Sequence, residues 1–147
     1  MDLQELYRDV IVDHNRRPRN FGTLAGASHT AEGYNPLCGD KLHVFLEVKD
    51  DIVSDIRFEG EGCAISTASA SLMSEAVKGM DRARIAALFA AVHRMLTREG
   101  AAANEDLGKL AALAGVREFP MRVKCASLCW HTLNAALAGS AVPASTE

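Results

Sequence analysis

Apolar positions along the chain change period several times, and each change marks an element. Leu3, Leu6, Tyr7, Val10 and Ile11 recur at helical spacing, which predicts a helix from Leu3 to about His14. Asp2 followed by Glu5 reads as its capping box. Residues 15–22 form a basic, proline-containing turn with Arg16, Arg17 and Arg19, either a solvated loop or a docking segment. Then the period falls to two. Leu42, Val44, Leu46 and Val48 alternate with His43, Phe45 and Glu47. After the turn pair Asp50-Asp51, Ile52, Ile56 and Phe58 alternate with Val53, Asp55 and Arg57, so an antiparallel hairpin is predicted, with a short third strand in residues 28–34. Helical spacing returns at Ala64, where Ile65, Ala68, Leu72, Ala76 and Met80 form one stripe of an Ala/Ser-rich helix suited to close packing. Ile85, Leu88, Phe89, Val92 and Leu96 mark another helix. A surface loop over 97–104 and a short helix over 105–114, ended by Gly115, follow. The last helix is expected to start near Cys125, with Leu128, Cys129, Leu133, Ala136 and Leu137 on one face. Residues 1–138 read as a single domain and 139–147 as a flexible tail.

Composition narrows the function classes. A chain of 147 residues with 48% hydrophobic and 24% charged residues has the make-up of one folded domain rather than a disordered segment. A net charge of −3 gives no bias toward nucleic acid or anionic membranes. No apolar run is long enough to span a bilayer, and the acidic start Met1-Asp2-Leu3-Gln4-Glu5 is unlike a signal peptide. The expected location is therefore the cytoplasm. There, Cys38, Cys63, Cys125 and Cys129 are expected as metal ligands or reactive thiols rather than disulfides.

The stretch "NPLCGD", residues 35–40, holds a cysteine and an aspartate two residues apart. In extended chain, Cys38 and Asp40 project to the same side. Gly39 lets the backbone bend between them, and Pro36 stiffens the entry. Cys63 falls at the start of the Ala/Ser-rich helix, where free N–H groups favour a thiolate. Cys125 falls near a helix boundary after Pro120. Three sulfurs and one carboxylate at segment junctions suit tetrahedral Zn²⁺, and also an iron–sulfur cluster. Any one of these cysteines alone reads as core filling; the shared setting of three points to a metal. Lys41, Arg122 and Lys124 flank the ligands and offset their negative charge. Cys129, on the apolar stripe beside Leu128 and Leu133, reads as core. His14, His29, His43, His93 and His131 lack metal-ligand spacing and are expected in surface or polar-contact roles. The chain has no Cys-x-x-Cys pair, phosphate-binding loop or dinucleotide fingerprint.

The segments "LYRDVIVDHNRRPRNFG", "NPLCGD", "DIRFEGEGCAISTASASLMSEAVKG" and "FPMRVKCASLCW" resemble, in order and over nearly the whole chain, the U-type iron–sulfur assembly proteins (the IscU/NifU-N-like family), and most of all the SufU branch. Lys124 stands where IscU-like chains have a histidine, and the segment between Cys63 and Cys125 is longer than in IscU; both features fit SufU. The departure is Cys129, where the family pattern has a small non-thiol residue. The resemblance implies an α+β fold of SufE/IscU type, a small antiparallel three-stranded sheet packed with helices. It implies that Cys38, Asp40, Cys63 and Cys125 bind zinc. It also implies a sulfurtransferase-like persulfide carrier. A histidine of a pyridoxal-phosphate cysteine desulfurase of SufS type would displace Cys38 from zinc, and the freed Cys38 would accept the persulfide sulfur. A downstream cluster-assembly scaffold would receive that sulfur. Lys41, Arg122 and Lys124 are expected to support or dock. Two alternatives stand beside this reading: a scaffold for a transient [2Fe–2S] cluster or iron on the same residues, and a zinc-stabilised binding module without sulfur chemistry. None of the three readings involves nucleic acid or a membrane.

Overall fold

A computed structural model of the chain describes residues 3–36, 39–97, 107–139 and 144–145. The elements in order are α1 (Leu3–Arg16), β1 (His29–Asn35), β2 (Asp40–Lys49), β3 (Ile52–Glu61), α2 (Ala64–Val77), α3 (Arg82–Thr97), a 3-10 helix (Gly108–Glu118), α4 (Pro120–Ala138) and β4 (Ala144–Ser145). The fold is α+β, as expected. Strands β1, β2 and β3 form an antiparallel meander, and the two-residue β4 adds to the free edge of β1 in parallel, giving the order β3-β2-β1-β4.

Alternation along the strands sorts the sheet into two faces. Ala31, Gly33 and Asn35 of β1, Asp40, Leu42, Val44 and Leu46 of β2, and Val53, Ile56 and Phe58 of β3 face the helices and are buried. The β2–β3 loop is Asp50-Asp51, both at positive φ (52° and 66°), between the paired residues Lys49 and Ile52. Two consecutive left-handed residues make the tight turn whose twist matches the strands. One expectation fails in β3. Ile52 is 40% exposed, and Val53 takes the buried place beside Ile56 and Phe58. Pairing jumps from Glu47↔Asp55 to Val48↔Val53, so Ser54 is an extra residue. A bulge of one residue reverses the inside–outside parity beyond it. The Ser54 hydroxyl lies 3.0 Å from the Glu47 carbonyl oxygen and holds the bulge.

Helix α2 is buried nearly all round because it packs against both α1 and α4. Its serines make that tolerable, since the Ser69, Ser71 and Ser74 hydroxyls each find a hydrogen-bond partner. Ser69 donates to the Ala126 carbonyl (2.6 Å), and Ser71 meets His14 Nδ1 (2.7 Å) and the Arg19 N–H (2.8 Å). Asn20 donates to Ser74 (3.0 Å). His14, read from sequence as a surface or polar-contact residue, is a buried polar contact, and burial, with Arg19 nearby, lowers its pKa. The helix expected to reach Met80 ends at Val77, where the C-cap Lys78 turns extended (ψ 122°), although Met80 still packs against the core.

Three helix boundaries also move. Helix α1 runs on to Arg16, past the expected end at His14, while Asp2 of the expected capping box lies outside the described residues. Helix α4 begins at Pro120 rather than near Cys125. A proline in the first turn loses no hydrogen bond, because that N–H has no intrahelical partner. The expected 105–114 helix begins outside the described residues, as does most of the expected 97–104 loop. What is described is a 3-10 helix that runs through Gly115 to Glu118. The residues explain it. Leu107, Leu110, Leu113 and Val116 recur every three positions and are all buried, and three residues per turn align them on one face.

Helix α4 crosses β1 at Gly33, where an added Cβ would sit 2.0 Å from Thr132 Oγ1 and 3.1 Å from Leu128 Cδ1. Gly33→Ala should therefore lower stability by about 1–3 kcal/mol, the usual cost of overpacking. Chemical denaturation should show the loss, and Gly33→Ala with Thr132→Ala should recover part of it.

Candidate metal centre

The end of the sheet nearest the β1–β2 turn is where four segments meet. Asp40 opens β2 on the helix-facing side, at the head of the row Leu42, Val44, Leu46. Cys63 follows β3 after the single residue Gly62 and is the N-cap of α2, its Sγ accepting the Ser66 N–H at 3.4 Å. Cys125 lies in the second turn of α4. One ligand atom from each of Asp40, Cys63 and Cys125 falls within 4.8 Å of the other two. Asp40 and Cys125 are almost wholly buried, at 1% and 2%, whereas Cys63 is exposed. The group opens to solvent on the Cys63 side.

The Asp40 carboxylate is held on both oxygens. Oδ1 accepts the Cys63 N–H at 3.0 Å, and Oδ2 accepts Asn35 Nδ2 at 3.3 Å. Asn35 Nδ2 also lies 3.5 Å from Cys125 Sγ. Gly62 makes the first contact possible, for a Cβ there would stand 2.8 Å from Asp40 Oδ1. Cys38 lies outside the described residues, and its neighbour Gly39 has φ 72°, the left-handed bend expected of the turn. Two sulfurs and a carboxylate oxygen, converging from three segments, are a donor set that fits zinc or iron.

The basic neighbours are dispersed. Lys41 alternates with Asp40 along β2 and is exposed on the other face of the sheet. Lys124 is half-buried beside Cys125 in α4. Arg122 is exposed, its guanidinium 4.6 Å above the ring of Phe119. It borders a groove of about 330 Å³ lined also by Tyr7, Arg8, Ile11, Ile65 and Val116. Among the described residues, neither arginine is ion-paired. Phe119 and Met121 stand about half-exposed where α4 begins.

Cys129 is not part of the group. It is buried at 1%, within 3.4 Å of the Ser69 hydroxyl, and burial pushes its thiol up to about 12. The core reading of this residue agrees with that setting. The residue that sequence reasoning passed over is Asn35. Its signal was present: the alternation Ala31, Gly33, Asn35 carries it to the helix-facing side, opposite Asp40 in the register.

Residues 6–126 match the family described as NifU-like N terminal domain. The chain belongs to this family. The zinc-dependent sulfurtransferase SufU of Bacillus subtilis (strain 168) is 42% identical over 137 residues, 93% of this chain and 92% of that protein. The iron–sulfur cluster assembly scaffold protein IscU of Streptococcus pyogenes serotype M1 is 39% identical over 139 residues, 95% of this chain and 87% of that one. The crystal structure of FiSufU from Fervidobacterium islandicum AW-1 superposes with a TM-score of 0.79 at 31% identity, covering 92% of this chain and 99% of that one. Among the described residues of this NifU-like domain, no helix is long and apolar enough to cross a membrane.

The burial of Cys129 gives a direct check. In the folded protein at pH 8, iodoacetamide should leave Cys129 unmodified, and peptide mapping should find it alkylated only after denaturation. Early labelling of Cys129 would contradict its place in the core.

Proposed function

We propose that this chain is a zinc-dependent sulfur-transfer protein of iron–sulfur cluster assembly, which accepts persulfide sulfur from a cytoplasmic cysteine desulfurase and stimulates that enzyme. The observation that carries the reading is the convergence of Asp40, Cys63 and Cys125 from β2, the head of α2 and the second turn of α4. We assign Cys38, Asp40, Cys63 and Cys125 as the zinc ligands and Cys38 as the sulfur acceptor. The SufU relative, named for both zinc and sulfur transfer, supports the assignment.

Bound zinc would keep its cysteine ligands as thiolates at neutral pH. The rest is the work of the chain's own residues. Asp40 and Cys125 are buried and hydrogen-bonded, so they anchor the site. Cys63 is exposed, yet its sulfur caps α2 through the Ser66 N–H, and moving it would uncap the helix. Cys63 is therefore held in place despite its exposure. Cys38, in a glycine-containing turn, is the thiol left to meet a persulfide. Its thiolate attacks the outer sulfur, a new S–S bond forms as the old one breaks, and the desulfurase thiolate departs with its electron pair. The downstream cluster-assembly scaffold then takes the sulfur.

The scaffold reading draws on the IscU relative and on the carboxylate, an oxygen ligand that would make a [2Fe–2S] cluster labile. The metal decides between them. Purified protein should contain one Zn²⁺ per chain, and chelation should lower the melting temperature markedly, because the ligands come from separate segments. Iron with stoichiometric sulfide would identify the scaffold instead. Cys38→Ser should abolish desulfurase stimulation while keeping part of the zinc, whereas Cys63→Ser and Cys125→Ser should lose zinc and stability together. Mass spectrometry after incubation with desulfurase and cysteine should find the added sulfur on the Cys38 peptide; sulfur mainly on Cys63 would reverse the assignment.

The desulfurase is proposed to dock around this end of the molecule, with Arg122 and Lys124 beside the site and Lys41 reached from the far face of the sheet. Arg122→Ala should keep zinc and melting temperature but weaken stimulation several-fold. A variant that stimulates like wild type would remove Arg122 from the docking surface.

A further inference from the structure

We infer that Asn35 is the positioning residue of this site: its side-chain amide holds the Asp40 carboxylate and the Cys125 thiolate in one arrangement and sets the donor strength of that sulfur. The inference rests on the metal-site reading above and adds a residue that is not itself a ligand.

The strand pattern explains why an asparagine is there. Asn35 is the last residue of β1, on the helix-facing side with Ala31 and Gly33, and Pro36 follows it. It pairs across the sheet with Asp40, at the mouth of the β1–β2 turn. Its exposure is 0%. A buried primary amide carries two N–H donors on one nitrogen, so a single group can serve two acceptors. Here those acceptors are Asp40 Oδ2 at 3.3 Å and Cys125 Sγ at 3.5 Å, the second an ordinary N–H···S separation. The other Asp40 oxygen belongs to the Cys63 N–H. One carboxylate thus ties the end of β1 to the head of α2, and one amide ties that carboxylate to α4.

Two consequences follow from the chemistry. The hydrogen bonds orient two ligands before any metal arrives, so metal binding need not order them. An N–H···S bond also lowers the energy of the sulfur lone pair. Cys125 becomes a weaker nucleophile and a fixed donor, which separates it from the cysteine that receives sulfur. Asparagine does this without adding positive charge beside the metal.

The test uses metals as probes. In the unsubstituted chain loaded with ¹¹³Cd²⁺, the Asn35 side-chain amide protons should show scalar coupling to cadmium through Cys125 Sγ. In the Co²⁺-loaded chain, Asn35→Leu should move the sulfur-to-cobalt charge-transfer band to longer wavelength. In chelator competition, that variant should bind Co²⁺ about 10- to 100-fold more weakly, the usual effect of losing a group that orients a ligand. Metal uptake with no coupling at Asn35, and with an unshifted band and unchanged affinity in Asn35→Leu, would overturn this inference alone. A wild-type chain that takes up neither metal would overturn the metal-site reading and this inference together.

Discussion

Asp40 is a carboxylate with 1% exposure at the end of an otherwise apolar row of β2. Removing such a charge from water costs on the order of several kcal/mol unless donors replace the solvent. Two donors do so, the Cys63 N–H and the Asn35 amide, and hydrogen bonds to a charged group are each worth about 1.5–3 kcal/mol. Much of the local architecture is what these bonds require. β1 must end on its helix-facing side at Asn35. β3 must turn into α2 through Gly62, because a side chain there would displace the carboxylate. Helix α4 must lie close enough to β1 for Cys125 to reach the same amide, and Gly33 permits that approach.

The same constraint accounts for the unusual centre of the fold. If Cys63 caps α2 beside Asp40, α2 is driven inward between α1 and α4, with almost no face left for water. An all-leucine helix would be too wide for that position. Alanines and serines keep it thin, and the serines satisfy partners on both flanks: the Ala126 carbonyl of α4 on one, His14 and the Arg19 N–H on the other. Small residues in α2 and the buried carboxylate are thus two sides of one arrangement, which brings the head of a helix to the end of a sheet.

Much of this was legible in the sequence, and the failures have physical causes. The two-residue period of β2 and the helical stripes give the elements, since burial on one face leaves a direct trace. "NPLCGD" gives the turn, and Asp40, Cys63 and Cys125 could be singled out because three cysteines in glycine-rich or apparent boundary settings, one with an aspartate two residues on, are unlike core filling. Ile52 was misplaced because a bulge leaves no composition signal; Ser54 looks like any strand residue. The 3-10 helix was misjudged because Leu107, Leu110, Leu113 and Val116 satisfy a period of three almost as well as 3.6 over so short a span. Cys125 was set at a helix boundary because Pro120 reads as a stop, whereas it is the first residue of α4. Asn35 was missed because a neutral amide in a turn motif has an ordinary explanation as a turn former, and its second role appears only when β1 and α4 are brought together.

The arrangement also bears on why a transfer site would be built from unequal ligands. Sulfur exchange asks one thiolate to leave its place while the rest of the site keeps its shape. In this structure the three converging side chains are secured by different means: Asp40 by two donors, Cys125 by burial and an N–H···S contact, Cys63 by its role as a helix cap. These restraints interlock, since the Asn35 amide serves both Asp40 and Cys125 while the Cys63 N–H serves Asp40, so the three groups hold one another in place. Cys129, one turn from Cys125, is sealed in the core with its thiol pushed up to about 12, so it adds no accessible thiolate to the group.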